Sequence, residues 1–147
     1  MSGFTTDFLE GLAVYLAAGG LGATYNTSGV YTVLQTGIKL GDLPQEPDRL
    51  IALTAYGVSD SPTLSDSVVG AQVVCRWSGE DPRPVDDLAD AIFNLVHGMR
   101  NVTLPTGVVV VQCYRNSQSS LGQDVNHRWM NVANYYATVH RPSANRT

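Results

Sequence analysis

Three histidines, His97, His127 and His140, are the first residues a metal or acid–base site would draw on. They lie far apart, and none has a partner at metal-ligand spacing. His97 falls in the last turn of a predicted helix, where a positive group complements the helix dipole. The densest polar group is Asp124, Asn126, His127 and Arg128. It could orient a water or an ion, but Asp and Asn are also ordinary turn formers. Asp86, Asp87 and Asp90 sit where a helix N-terminus favours negative charge without any catalytic duty. The serines cluster in polar stretches with no base at a recognisable spacing. The glycines of Gly19 to Gly22 follow a helix rather than joining a strand to one, so they do not form a phosphate or dinucleotide loop. Cys75 and Cys113 stand in apolar runs and read as core thiols. The residues therefore predict no catalytic site, no metal site and no cofactor.

The elements that would position any site are organised around Val68 to Gly98. An apolar strand, VVGAQVVCRW, turns through SGED into the helix PRPVDDLADAIFNLVHGM. Asp81 is a predicted N-cap, Pro82 suits the first helical position and Gly98 the C-terminal stop. Val85, Leu88, Ala89, Ile92, Phe93 and Val96 recur at helical spacing, giving one face for a core.

Before this unit, Thr6 to Ala18 reads as a helix with Asp7 and Glu10 at capping-box-like spacing. Val30 to Leu34 reads as a strand, Ile38 to Leu40 as a short apolar run, and GDLPQEPD as a loop leading to a strand over Arg49 to Tyr56. Gly57 to Ser67 is expected to be a surface loop. After the helix come a connection over Arg100 to Pro105, a strand over Val108 to Tyr114, a polar loop over Asn116 to Arg128 and a long strand over Trp129 to His140. The fold class expected is α+β: one domain over residues 1–147, with a mostly antiparallel four- to five-stranded sheet and two main helices against it. Residues 1–5 and 142–147 are expected to fray.

Thirteen acidic against nine basic residues give a net charge of −4, which argues against gripping nucleic acid by phosphate neutralisation but not against surrounding it. A charged fraction of 15% points to a surface that meets something other than water, as in an assembly. MSGFTTDFLE has no charged n-region and no apolar run approaches membrane length, so a soluble, reducing compartment is expected, with no membrane partner. Trp77, Trp129, Tyr135 and Tyr136 are too many aromatics for one sheet of this size to bury, and some are candidate interface anchors.

The series LEGLAVYLAAGGLG, IKLGDLPQEPDRLIALTAYG, VVGAQVVCRWSGEDPRPVDDLADAIFNLVHG and LGQDVNHRWMNVANYYATV resembles the tail terminator proteins of long-tailed phages that infect actinobacteria, often labelled minor capsid or minor tail proteins. The resemblance covers about residues 7 to 139 and is most specific in DLPQEPDR and GEDPRPVDDLADAI. It implies a non-enzymatic virion protein, put together in the host cytoplasm. Such a protein forms a ring, usually a hexamer, that caps the head-proximal end of the tail tube, stops its polymerisation and offers the head-joining surface. The partners implied are further copies of the chain, the tail tube protein and a neck or head-completion protein, with DNA passing through without specific binding. On this reading Trp129 and Tyr135 are expected at the subunit interface. The channel rim is expected to carry Asp42, Glu46 and Asp48, or Asp60 and Asp66, since acidic groups would keep a polyanion unbound. The alternatives are a head-completion or stopper protein of the neck and, in a different class, a small ligand-binding or enzymatic α+β domain.

Overall fold

The computed structural model describes residues 3–146. Two helices and seven strands follow in the order α1 (Phe4–Ala17), β1 (Ala23–Tyr25), β2 (Thr36–Leu40), β3 (Leu50–Asp60), β4 (Asp66–Ser78), α2 (Arg83–Val96), β5 (Arg100–Thr103), β6 (Val109–Gln123) and β7 (Arg128–His140). The strands form one sheet in the order β1-β2-β3-β4-β7-β6-β5. β1, β2 and β3 are mutually parallel, and the remaining pairs are antiparallel.

β4, the apolar strand of the Val68 to Gly98 unit, lies at the centre of the sheet. Its side chains alternate, so Val69, Ala71, Val73 and Cys75 are buried with the helices while Gly70, Gln72, Val74 and Arg76 take the other face. β7 repeats the pattern, with Ala133, Tyr135, Ala137 and Val139 inward. Helix α2 lays Val85, Leu88, Ala89, Ile92 and Val96 on this layer, and α1 adds Phe8, Leu12, Ala13 and Leu16. Both helices thus fill one face, and the opposite face has none.

The sheet corrects the expected four- to five-stranded, mostly antiparallel one: it has seven strands and is mixed. β1 and β5 are too short to show a period. Gly57 to Ser67 and Asn116 to Arg128 are not loops but the ends of two long hairpins, β3–β4 and β6–β7, paired as far as Asp60↔Ser67 and Gln123↔Trp129. Polar side chains there hide strands, because ladder bonds are made by the backbone alone. Conversely, Val30 to Leu34 is a turn-rich excursion, not a strand, with Val30, Val33 and Leu34 exposed. It is pinned by Tyr31, whose hydroxyl donates to the Ile38 carbonyl at 2.6 Å. Arg100 to Thr103, read from sequence as a connection, is β5.

Cap positions also shift. Helix α1 begins one turn before Asp7, with Gly3 as N-cap, and α2 has Pro82 at its N-cap. Asp81 still accepts the Arg83 backbone N–H, at 3.0 Å. Gly98 has φ 85° just after the helix, the left-handed conformation expected of it. Near the C-terminus, Arg146 donates to the Ser61 carbonyl and to Ser67 Oγ, both at 3.1 Å, so this end of the chain is fastened to the β3–β4 hairpin. Met1, Ser2 and Thr147 lie outside the described residues.

Helix α1 approaches the β5–β6 connection through Gly11, where a Cβ would stand 2.4 Å from Thr106 Oγ1 and 2.9 Å from Leu104 Cβ. Gly11→Ala gains about 1 kcal/mol of helix propensity but overpacks this contact at about 1–3 kcal/mol. A net loss of about 1 kcal/mol is expected in urea unfolding; an equal or higher midpoint would show that α1 can move away without cost.

Candidate assembly surfaces

The most tightly built polar site lies on the helix-free face, at the end of the sheet where β4 finishes and β7 starts. Ser78 pairs with Arg128 in the register, which sets Arg76 and Arg128 on the same face two ladder steps apart. Both are buried, at 1% and 4% exposure. What covers them is the crossover of residues 41–49 between β2 and β3. Arg76 Nε donates to the Asp48 carbonyl at 3.2 Å, and its Nη2 to the carbonyls of Pro47 at 2.7 Å and Gln45 at 3.4 Å. Arg128 Nη1 donates to the Gln45 carbonyl, and the same guanidinium meets Asp124 Oδ2 at 2.8 Å and Asp48 Oδ1 at 3.4 Å. Burial lowers the Arg76 pKa, and the neighbouring Arg128 charge lowers it further, against the opposing pull of Asp124 and Asp48.

Asp124, Asn126, His127 and Arg128, the densest polar group in the sequence, form the β6–β7 turn. Asp124 Oδ1 accepts the backbone N–H groups of Asn126 at 2.9 Å and Arg128 at 3.0 Å, and His127 takes φ 58° to complete the reversal. The carboxylate is thus occupied in holding the turn and Arg128. Among the described residues no group of His, Cys, Asp and Glu could hold a metal ion. His97 Nδ1 accepts the Arg115 backbone N–H at 3.0 Å, and its ring stacks on Phe93 with centroids 4.4 Å apart. Asp86 accepts from Asn131 Nδ2 at 3.2 Å, linking α2 to β7. The buried thiols of Cys75 and Cys113 are both pushed up to about 12 by loss of solvent, which keeps them protonated and unreactive.

The aromatics divide between the two faces. Tyr135, expected at an interface, is 1% exposed in the subunit's own core, which leaves no surface for a neighbour. Trp129 is half-buried at the β6–β7 end, its indole N–H on the Glu80 carbonyl at 3.3 Å. The exposed aromatic surface that sequence reasoning misses consists of Tyr56 and Tyr114 beside Tyr136 on the helix-free face. Tyr56 lies across Gly70, where a Cβ would come within 2.2 Å of its ring, and its hydroxyl donates to Asn134 Oδ1 at 3.0 Å. The signal for this surface is the pairing of Tyr56 with Gly70, since Tyr56 alone is one more residue of an apolar strand.

The five acidic residues expected at the channel rim fall into two groups at opposite ends of the long strands. Asp42, Glu46 and Asp48 are exposed on the arginine-held crossover, and Asp60 and Asp66 flank the β3–β4 tip. The length of β3 separates the groups by on the order of 30 Å. Asp66 faces His140 Nδ1 at 3.4 Å.

Two measurements check this site. Arg76→Ala leaves the Pro47 and Asp48 carbonyls without donors, Gln45 keeping its bond from Arg128, at about 1–3 kcal/mol each, so a loss of about 2 kcal/mol or more is expected in urea unfolding. For Asp124, burial raises the carboxyl pKa, but the N–H donors of Arg128 and Asn126 outweigh this and hold it below the usual range. A depressed folded pKa stabilises above the unfolded value of about 3.9 and is lost as pH falls through the folded value. The stability gap between the wild-type chain and Asp124→Asn should therefore be wide at neutral pH and close below pH ~4; a gap independent of pH would show that the ionised carboxylate is not what holds Arg128.

A chain in a solved structure described as the virion of a native gene transfer agent particle shares the fold: it is 14% identical, with a TM-score of 0.66 over 94% of this chain and 98% of that one. No curated protein matches in sequence. The sequence model described as bacteriophage tail terminator protein matches residues 15–141, a span that takes in all seven strands, helix α2 and the end of α1, and the chain belongs to that family of virion tail proteins.

Proposed function

We propose that this chain is the subunit of a ring that caps the head-proximal end of the tail tube, ends its polymerisation and provides the head-joining surface. The observation that carries the reading is the family match over residues 15–141. The structure supports it by shape. The β3–β4 and β6–β7 hairpins reach opposite ends of the sheet, as the pairs Asp66↔His140 and Ser78↔Arg128 at the two ends of β4 require. Each tip carries an exposed aliphatic side chain, Leu64 at 65% and Val125 at 93%. A terminator must touch a tube on one side and a neck on the other, and these two tips suit those two contacts.

The subunit's acidic balance suits a passage for DNA, because a ring that neutralised phosphates would hold the polyanion in transit. Of the two acidic groups, the crossover that bears Asp42, Glu46 and Asp48 is the better rim, since two buried arginines fix its backbone. A charged rim held rigidly keeps its field when DNA moves past it.

Loss of the protein should give tails of irregular or excessive length; DNA leaking from heads beside normal tails would instead support a stopper of the neck. Leu64→Asp and Val125→Asp are surface changes expected to alter stability by less than about 0.5 kcal/mol. One should impair length control and the other head joining, both scored by electron microscopy of lysates, and wild-type tails and virions from both would remove the tips from the reading. The rim is tested by Asp42→Lys with Glu46→Lys: salt-sensitive DNA retention by the variant ring but not by the unmodified one is expected at low salt, whereas retention by neither places these residues away from the passage.

A further inference from the structure

The two borders of the sheet are each covered over only half their length. β2 pairs with β3 from Leu50 to Leu53 and leaves Thr54–Asp60 bare on that side. β5 pairs with β6 from Val109 to Gln112. Beyond it, Met99 and Gly98 bond Cys113, His97 caps the Arg115 N–H, and Asn116–Gln123 is bare. The bare halves lie on opposite borders and at opposite ends. Neither TAYGVS nor NSQSSLGQ contains a charge or a proline, the residues that usually protect an open edge. The first charges met are Asp60 at the far end of one and Arg115 at the near end of the other.

We propose that neighbouring copies of the chain join by antiparallel pairing of the bare half of β3 with the bare half of β6, continuing the sheet from subunit to subunit. The inference rests on the ring reading above and names the surface that builds it. Its register follows from alternation. On β3 the carbonyls of Arg49 and Leu53 serve β2, so Ala55 and Gly57 present the next backbone groups on that side. On β6 the groups of Cys113 and Arg115 point outward, and the bulge between Arg115 and Ser117 passes this role to Gln118 and Ser120. Setting outward groups face to face aligns Ala55 with Ser120, Tyr56 with Ser119 and Gly57 with Gln118 of the partner subunit.

The bulge between Gly57 and Ser59 on β3 then meets the bulge between Arg115 and Ser117 on β6, and Ser59 falls opposite Ser117 of the partner subunit. Asp60 falls opposite Arg115 of the partner subunit, and both side chains lie on the helix side of the sheet, since Asp60 pairs with Ser67 and Arg115 with Tyr135. Charge, bulge position and facing thus agree in one register. Within a subunit Ala55 is level with Arg115, through Ala71 and Tyr135, so aligning it with Ser120 shifts each copy by four ladder steps, about 13 Å. A constant stagger of this kind is what a sheet needs in order to close on itself, and a head-to-tail contact closes when its rotation permits.

The test uses the full chain in assembled tails. Ser59→Cys with Ser117→Cys places two exposed thiols on one face at a directly opposed pair, close enough for a disulfide. Cys75 and Cys113 are buried and do not compete. A reductant-sensitive ladder of cross-linked copies is expected from the double variant, and none from either single variant or from Ser59→Cys with Ser120→Cys, which faces the other side. In parallel, Asp60→Arg and Arg115→Asp should each weaken ring formation about tenfold, and the two together should restore it. Rings from the unmodified chain with no ladder and no rescue would overturn the edge pairing while leaving the ring standing. Tail ends that carry no ring of the unmodified chain would overturn both.

Discussion

The rest of the structure depends on two buried guanidiniums reading the backbone of one crossover. A parallel connection between adjacent strands is usually made by a helix that satisfies its own amides. Here residues 41–49 make it with no helix, between Leu40 at the end of β2 and Leu50 at the start of β3. Their carbonyls must find donors elsewhere, and Arg76 and Arg128 supply them from the two central strands, β4 and β7. Arginine suits the task because its planar fork donates in several directions at once and stays charged when buried, whereas a lysine would be a single point of charge. The like charges are tolerated because Asp124 and Asp48 stand beside them. Parallel strands β1 and β2 are therefore held to the antiparallel part of the sheet partly by hydrogen bonds from strands they never touch.

This arrangement explains why the sheet has two unlike faces. All the helical apolar surface is used on one side, where the core runs unbroken from α1 to α2. On the other side the arginine site closes one end, and toward the other end the face is a partly exposed surface of Tyr56, Tyr114, Tyr136 and Asn134. Gly70 permits this surface by letting the Tyr56 ring lie flat on the strand. The subunit thus has a core on one face only, and offers polar and aromatic groups, bare edges and two hairpin tips outward.

How much of this is legible in the sequence follows from what kind of signal each part leaves. Helix α2 can be read nearly to the residue because an apolar stripe, a proline and a glycine all mark it. The centres of β3, β4 and β7 are visible through burial, since a core-facing strand must be apolar on at least one side. Their extensions are not. Ser117 to Ser120 is strand because it pairs with Asn131 to Asn134, not because its own side chains favour it. The same blindness makes the arginine site read as a loop and a turn. DLPQEPDR stands out as a specific part of a resemblance and Asp124 to Arg128 as a polar cluster, yet nothing local ties one to the other. The bond from Arg128 to the Gln45 carbonyl joins residues 83 positions apart, and no period in the sequence records it. Tyr135 is misplaced because alternation tells that successive residues face opposite ways without telling which way is in.

The open borders also bear on specificity. A long bare edge with no charge is a hazard to an isolated subunit, since it would accept any extended chain. The bulges limit this. They interrupt β6 after Arg115 and again after Ser120, and β3 after Gly57, so only short regular runs are available on either border. A generic strand entering at the wrong register meets a kink within a few residues and gains few bonds. A partner bent at the matching place would continue further, and in the proposed edge pairing the other border of the same protein carries such a bend. Short runs would also make each proposed contact weak alone, so that in the ring reading a copy stays free until several neighbours, or a surface that aligns them, contribute together. The bulges, which look like faults in the ladder, are what allows an unprotected edge to remain selective.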